Sequence, residues 1–200
     1  MSGYRLPGSP AAERLAAERT IGLLELTSIA RGWAVVDRMV KAATVTVVDA
    51  ATAQPGKFLI VVTGGVAEIE EALAAGVAEA GTSLFDHLIL TNLTPEVPAA
   101  INRELAPELG DTVAVVEGFS AASIIAAADA ALKAGNVELE SIVLLDGLGG
   151  KAYLVLTGGR SDIESGVAAA RSAMPADMFV EASTISEFSP ELAAFLPGRR

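Results

Sequence analysis

Most of this sequence is written twice. Residues 21–49, IGLLELTSIARGWAVVDRMVKAATVTVVD, align with residues 113–141, VAVVEGFSAASIIAAADAALKAGNVELES. Glu25 and Glu117, Asp37 and Asp129, and Lys41 and Lys133 are each 92 residues apart. Residues 55–70, PGKFLIVVTGGVAEIE, align with 149–164, GGKAYLVLTGGRSDIE, and here Lys57 and Lys151, like Thr63 and Thr157, are 94 apart. The second copy thus carries two extra residues ahead of its Gly-Lys, where a loop tolerates insertion. A chain of this kind folds as two like modules.

Hydrophobic period gives the elements of one module. Leu23, Leu24 and Leu26 form a short apolar run, a buried strand. Ile29, Trp33, Val36, Val40 and Ala43 recur at helical spacing and are expected to face the core, with Thr27 or Ser28 capping the helix start. Val45 to Asp49 is rich in β-branched residues and reads as a second strand. Ala51 to Gly56 reads as a loop and Phe58 to Thr63 as a third strand. Val66 to Ala80 is a second helix, stopped by Gly81. His87 to Thr91 is a fourth strand, and a short helix starts at Pro95. The second copy repeats this through Val115–Glu117, Ala121–Ala134, Ile142–Leu145, Ala152–Thr157, Asp162–Ala173, Phe179–Ala182 and Pro190–Leu196.

The order β-α-β-β-α-β-α is the split βαβ, or ferredoxin-like, pattern of the mixed α/β (α+β) class, an antiparallel four-stranded sheet with helices in each copy. Residues 20–106 are expected to form the first domain and 111–197 the second, with the boundary near Pro107–Asp111. Residues 1–19 are an extension outside the repeat. Within it, Ser9-Pro10 ahead of AAERLAAE reads as a capped short helix; docked and mobile placements are both open.

Composition removes several function classes. The 200 residues carry a net charge of -11, which leaves no basic face for nucleic acid. There is no cysteine, which excludes disulfides, thiolate metal sites and cysteine nucleophiles together. A single histidine, His87, makes no multi-histidine metal site. Apolar residues are 52% of the chain but aromatics only 4%, so the core is built from Ala, Val, Leu and Ile. No uninterrupted apolar stretch reaches the ~18 residues of a membrane span, and no apolar segment follows Arg5 as in a secretory leader. The expected compartment is the cytoplasm, with no membrane partner.

Individual residues invite site readings that weaken on inspection. The loop Asp146-Gly147-Leu148-Gly149-Gly150-Lys151 suggests phosphate binding, but it leads from strand to strand, whereas a phosphate loop leads into a helix. His87 reads as a packing or surface residue; an offset of 94 places it opposite Glu181. Glu25 and Glu117 end apolar strands and read as satisfied acids at a sheet edge or subunit contact rather than as a catalytic pair. Lys41 and Lys133 sit at helix ends, where a cation is favourable in any case; contact to a neighbouring molecule is an equal alternative. Trp33 is expected in the core. No nucleophile, base or metal set converges, so no enzyme activity and no cofactor are indicated.

The blocks GLLELTSIARGWAVVDRMVKAA and PGKFLIVVTGGVAEIEEAL, with VVEGFSAASIIAAADAALKAG and GLGGKAYLVLTGGRSDIESG in the second copy, resemble the shell proteins of bacterial microcompartments. The resemblance is to the tandem-domain, trimer-forming class and covers about residues 20–197. It implies a homotrimeric, pseudo-hexameric tile that assembles with hexameric and pentameric shell proteins around encapsulated enzymes. It places Lys41 and Lys133 at tile edges. It places the loop between the second and third strands at a central pore for metabolites: Gln54, Pro55, Gly56 and Lys57 in one copy, Gly147, Leu148, Gly149, Gly150 and Lys151 in the other. The element order is the unpermuted one, closer to single-layer trimers than to permuted members that stack. The family's Arg-Pro-His edge motif is replaced by Thr91-Asn92-Leu93-Thr94-Pro95-Glu96 and by the stretch from Ser183 to Pro190-Glu191, so the edge contact must differ in detail. Some relatives hold an iron–sulfur cluster through a pore cysteine; a chain without cysteine does not. The rival reading is a small-molecule-binding regulatory trimer of ferredoxin-like domains.

Overall fold

A computed structural model describes residues 4–145 and 147–199. Each copy forms a four-stranded antiparallel sheet. The first holds β1 (Ile21–Leu26), β2 (Thr46–Ala53), β3 (Lys57–Thr63) and β4 (Leu84–Leu90) in the order β2-β3-β1-β4. The second holds β5 (Thr112–Gly118), β6 (Glu138–Leu144), β7 (Ala152–Gly158) and β8 (Phe179–Ser186) in the order β6-β7-β5-β8. Even the irregularities repeat. The β2–β3 register shifts between Val47 and Asp49, and the β6–β7 register shifts at the equivalent Leu139 and Ser141. The two extra residues therefore lie beyond these bulges, in the turn between β6 and β7. The loop expected over Ala51–Gly56 is shorter than sequence suggested, because β2 pairs with β3 through Ala53.

One face of the first sheet is covered by α2 (Ile29–Ala42) and α3 (Val66–Ala80). Leu24, Leu26, Phe58, Ile60 and Val62 meet Val35, Met39, Ile69 and Leu73 there. The α2 helix comes unusually close. A Cβ on Gly32 would stand 2.3 Å from Cδ1 of Phe58, so only glycine lets that ring lie under the helix. Core packing thus selects Gly32, Val35 and Met39 as the buried stripe of α2. Of the stripe expected from sequence, Val36 and Ala43 pack against this core, but three members face outward: Ile29 is 40% exposed, Trp33 59% and Val40 43%.

The opposite face, Leu23, Leu59 and Val61, joins a second cluster that runs across both copies. The N-terminal extension is part of it: Tyr4, Leu6 and Leu15 are buried. Its helix α1 (Pro10–Glu18) is capped by Ser9 and has Pro at its start, and it packs on β2 and β3. Tyr4 Oη donates to Asp49 at 2.6 Å, and Leu6 N donates to Asn102 Oδ1 at 3.0 Å. The extension is docked, which resolves the alternative left open by sequence. The short helix α4 (Glu96–Ile101) lies against β6 of the second copy. In that copy α5 (Ala121–Ala134) and α6 (Arg160–Ser172) take the places of α2 and α3, and α7 (Pro190–Ala193) follows β8.

Candidate functional site

The two copies meet where α5 starts over β1 and β4 of the first sheet. Glu25 is fully buried there. Its Oε1 accepts from Lys57 Nζ at 2.6 Å, and its Oε2 accepts the backbone N–H of Ala121, the first residue of α5, at 2.8 Å. Lys57 Nζ donates also to the carbonyls of Phe119 and Gly150, both at 3.1 Å, and lies 3.7 Å from the Phe85 ring centre. Every ammonium donor is thereby used. Burial pushes the Glu25 carboxyl above the ordinary range; Lys57 and the Ala121 N–H oppose that shift, and Asp86 adds to it.

Two further contacts lock the joint. Asp86 on β4 accepts from the hydroxyl of Ser120, the N-cap of α5, and from Ser123 Oγ at 2.7 Å. Asp129 on α5 accepts from Thr94 N at 2.9 Å and Thr94 Oγ1 at 2.7 Å, and from Lys133 Nζ at 2.6 Å. The stretch after β4 therefore ties the first copy to the second through Thr94.

The equivalent residues of the second copy stand at the open end of the chain. Lys151 Nζ meets Glu117 at 2.7 Å, but these side chains are 41% and 33% exposed, against 11% and 0% for Lys57 and Glu25. Strand pairing sets Glu181 opposite Glu117 as Asp86 is set opposite Glu25. His87 pairs with Leu24 and is therefore equivalent to Ala182, not to Glu181 as a uniform offset of 94 implied. The shorter connection ahead of β4 accounts for the difference. His87 lies exposed on β4.

The turns before β3 and β7 come together. Gln54 Oε1 accepts from Gly147 N at 3.1 Å. A Cβ on Gly150 would come within 2.8 Å of Pro55 Cδ, and Gly150 has φ +87°, so glycine is required there twice over. Gln54, Pro55, Gly56, Gly147 and Gly149 are exposed, and Leu148 is half-buried. Lys57 and Gly150 do not belong with them. Both are buried at the joint, because Lys57 is drawn inward by the Glu25 carboxylate. Lys151 is turned towards Glu117 in the same way. Asp146 lies outside the described residues. Lys41 pairs with Asp37 at 2.6 Å on the surface, and Lys133 repeats that pair with Asp129.

Sequence reasoning missed Asp86, Ser120, Ser123 and Thr94. One signal for Thr94 was present: Thr94-Pro95-Glu96 recurs as Ser189-Pro190-Glu191. Trp33, expected in the core, touches Phe58 with ring centres 5.2 Å apart but keeps most of its surface open. Among the described residues, no group of three or more histidine, cysteine, aspartate or glutamate side chains is placed to hold a metal. No helix among them is long and apolar enough to cross a membrane.

A family model described as BMC domain matches residues 20–93 and again residues 112–188. The chain belongs to the BMC-domain family. It is 41% identical over 152 residues to the bacterial microcompartment shell protein PduT of Citrobacter freundii, covering 76% of this chain and 83% of that protein. The carboxysome shell protein CcmK3 of a Halothece species is 32% identical over 95 residues, which is 44% of this chain and 93% of CcmK3. A solved microcompartments protein from Desulfitobacterium hafniense DCB superimposes with a TM-score of 0.72 at 38% identity, over 86% of this chain and 97% of that one. A fused permuted hexameric shell protein from the RMM microcompartment shares the fold, with a TM-score of 0.60 at 18% identity over 86% of this chain and 93% of that one. The chain is thus a tandem BMC shell protein, each copy a four-stranded antiparallel sheet with helices, and its role is structural.

Proposed function

We propose that three copies of this tandem BMC chain close into a flat, non-catalytic shell tile whose paired loops surround a central opening. One observation carries this reading: the joint inside the chain leaves both of its halves duplicated and unused at the chain's ends. At the inner joint α5 buries Ala121, Ile125 and Ala128. Their equivalents on α2 are Ile29, Trp33 and Val36, of which Ile29 and Trp33 are exposed. The sheet edge that would receive them, with Glu117, Lys151 and Glu181, is open at the other end. A surface that fits a different surface of the same chain makes heterologous contacts, and these close into rings. Closure at three gives six modules and matches the class the sequence resembles.

In such a ring the turns Gln54-Pro55-Gly56 and Gly147-Leu148-Gly149 alternate about the axis. The Gln54–Gly147 hydrogen bond supports their adjacency. Exposed glycine backbone and the Gln54 side chain on these turns suit small polar metabolites. Lys41 and Lys133, each held by an aspartate one helical turn back, lie at the rim, where hexameric and pentameric shell proteins would tile around encapsulated enzymes in the cytoplasm. The regulatory-trimer alternative gains no support from the shell-protein relatives.

Trp33 is the chain's single tryptophan and reports directly on assembly. The purified protein should have trimer mass, with Trp33 emission shifting to the red on dilution to monomer. Electron microscopy with a hexameric shell protein should show flat tiles in sheets or closed shells. A monomer with solvent-exposed Trp33 at all concentrations would refute the ring. Gly149 has open space around its Cβ position and φ +63°. Bulky substitution there should reduce metabolite flux into intact shells; unchanged flux would refute conduction past these loops.

A further inference from the structure

Translating the inner joint onto the chain's ends yields a contact that the inner joint lacks. Ser123, which donates to Asp86, corresponds to Arg31 on α2, and Asp86 corresponds to Glu181 on β8. We infer that Arg31 forms an ion pair with Glu181 of the next chain, and that this pair is what distinguishes the joint between chains from the joint within one. The inference rests on the ring proposed above.

Three observations support it. First, both residues reach further than the pair they replace: arginine for serine, and glutamate for aspartate. Second, Arg31 brings a cation that the inner joint lacks at the equivalent Ser123. Around Glu25 and Asp86 the inner joint holds one cation, Lys57. Around Glu117 and Glu181 the outer joint would hold two, Lys151 and Arg31, with Glu181 sharing the guanidinium with Glu79. A joint inside one chain tolerates an unbalanced carboxylate because the linker holds its halves together. A joint between free chains has no such tether, and complementary charge there governs encounter and register. Third, Arg31 is poised at that position. Ser28 caps α2 by accepting from Arg31 N at 3.3 Å, as Ser120 accepts from Ser123 N at 2.9 Å. The Arg31 guanidinium pairs with Glu79 of its own chain at 2.8 Å, and its side chain is 49% exposed.

The test is charge exchange in the full chain, read as mass against concentration, with circular dichroism confirming folding. Arg31→Glu and Glu181→Arg should each raise the monomer–trimer midpoint at least about tenfold in concentration. The double exchange should recover most of that loss. Glu79→Gln should leave the midpoint near that of the native chain. Single exchanges without effect on a native chain that does form trimers would overturn the pair and leave the ring standing. So would Glu79→Gln weakening assembly as much as Glu181→Arg. A native chain that never forms trimers would overturn both.

Discussion

Lys57 Nζ stands 2.6 Å from Glu25 Oε1, on neighbouring strands of one copy, and the ammonium's other two donors go to carbonyls of the second copy. Removing one charge strands the other. Lys57→Met should destabilise the chain by roughly 3–5 kcal/mol, because a buried carboxylate is left without its cation. At 2–4 °C per kcal/mol for a chain of this size, Tm falls by about 6–20 °C. Glu25→Leu combined with Lys57→Met should restore most of the loss. Calorimetry of both variants checks this, and equal loss in single and double variants would contradict it.

The same carboxylate makes stability depend on pH. Burial holds the folded-state Glu25 above its ordinary value of 4.5, so the folded chain binds that proton more tightly than the unfolded chain does. Its stabilising contribution is therefore fully present below the ordinary value and fades as pH rises through the raised one. Compared with Glu25→Gln, the native chain should gain stability between about pH 7.5 and about pH 5. Urea unfolding at both pH values measures the difference. A gain in the opposite direction would mean that Lys57 and the Ala121 N–H outweigh burial.

Tyr4 titrates above its ordinary value of 10.0, first through burial and then through its hydrogen bond to Asp49. The folded state again favours the protonated form, so stability is full below that ordinary value and is lost as pH rises above it. Tyr4→Phe should cost about 1.5–3 kcal/mol at neutral pH, the range for a hydrogen bond to a charged group. It should also abolish the part of alkaline destabilisation that begins above about pH 10. Tyrosinate absorbance from Tyr4 should appear only as the chain unfolds.

Near the C-terminus, Arg199 reaches a fully buried Glu140 through Nε at 3.1 Å and through a second guanidinium nitrogen at 3.2 Å. That second nitrogen also donates to the carbonyl of Pro107. Arg199→Ala should destabilise by roughly 3–5 kcal/mol, far more than a surface charge deletion does. Glu140→Leu in the same background should rescue it. Denaturant midpoints of the three proteins decide the matter.

Lys41→Ala and Lys133→Ala should leave the trimer mass unchanged and weaken sheets or shells seen by electron microscopy. Lys41 is the cleaner probe, since its pair with Asp37 is exposed and contributes little to folding. Loss of trimer in Lys41→Ala would move this lysine from the rim to the joint between chains.

Much of this architecture was legible because two copies report the same pattern. The element order followed from hydrophobic period, and the position of the insertion from the spacing of Glu25, Asp37, Lys41, Lys57 and Thr63. The facing of α2 did not. Outside the charged side of Arg31, Asp37, Arg38 and Lys41, its apolar face is wider than the stripe that is buried, and size suggested that Trp33 and Ile29 were core. The actual core stripe needs a glycine, since Phe58 fills the space a larger residue would take. Nor was Lys57 legible as a buried group, because its partners Phe119 and Gly150 lie 62 and 93 residues away. Sequence period describes one element and is silent about such distant neighbours.

The docked N-terminus sets an order of events during synthesis. Tyr4 N donates to Leu144 O at 3.4 Å, Leu6 N to Asn102, and Tyr4 Oη to Asp49. Chains leave the ribosome N-terminus first. The opening residues must therefore wait, undocked, until β6 has emerged about 140 residues later. A segment made before both sheets is among the last to find its place, and its arrival marks a chain whose two halves have already met.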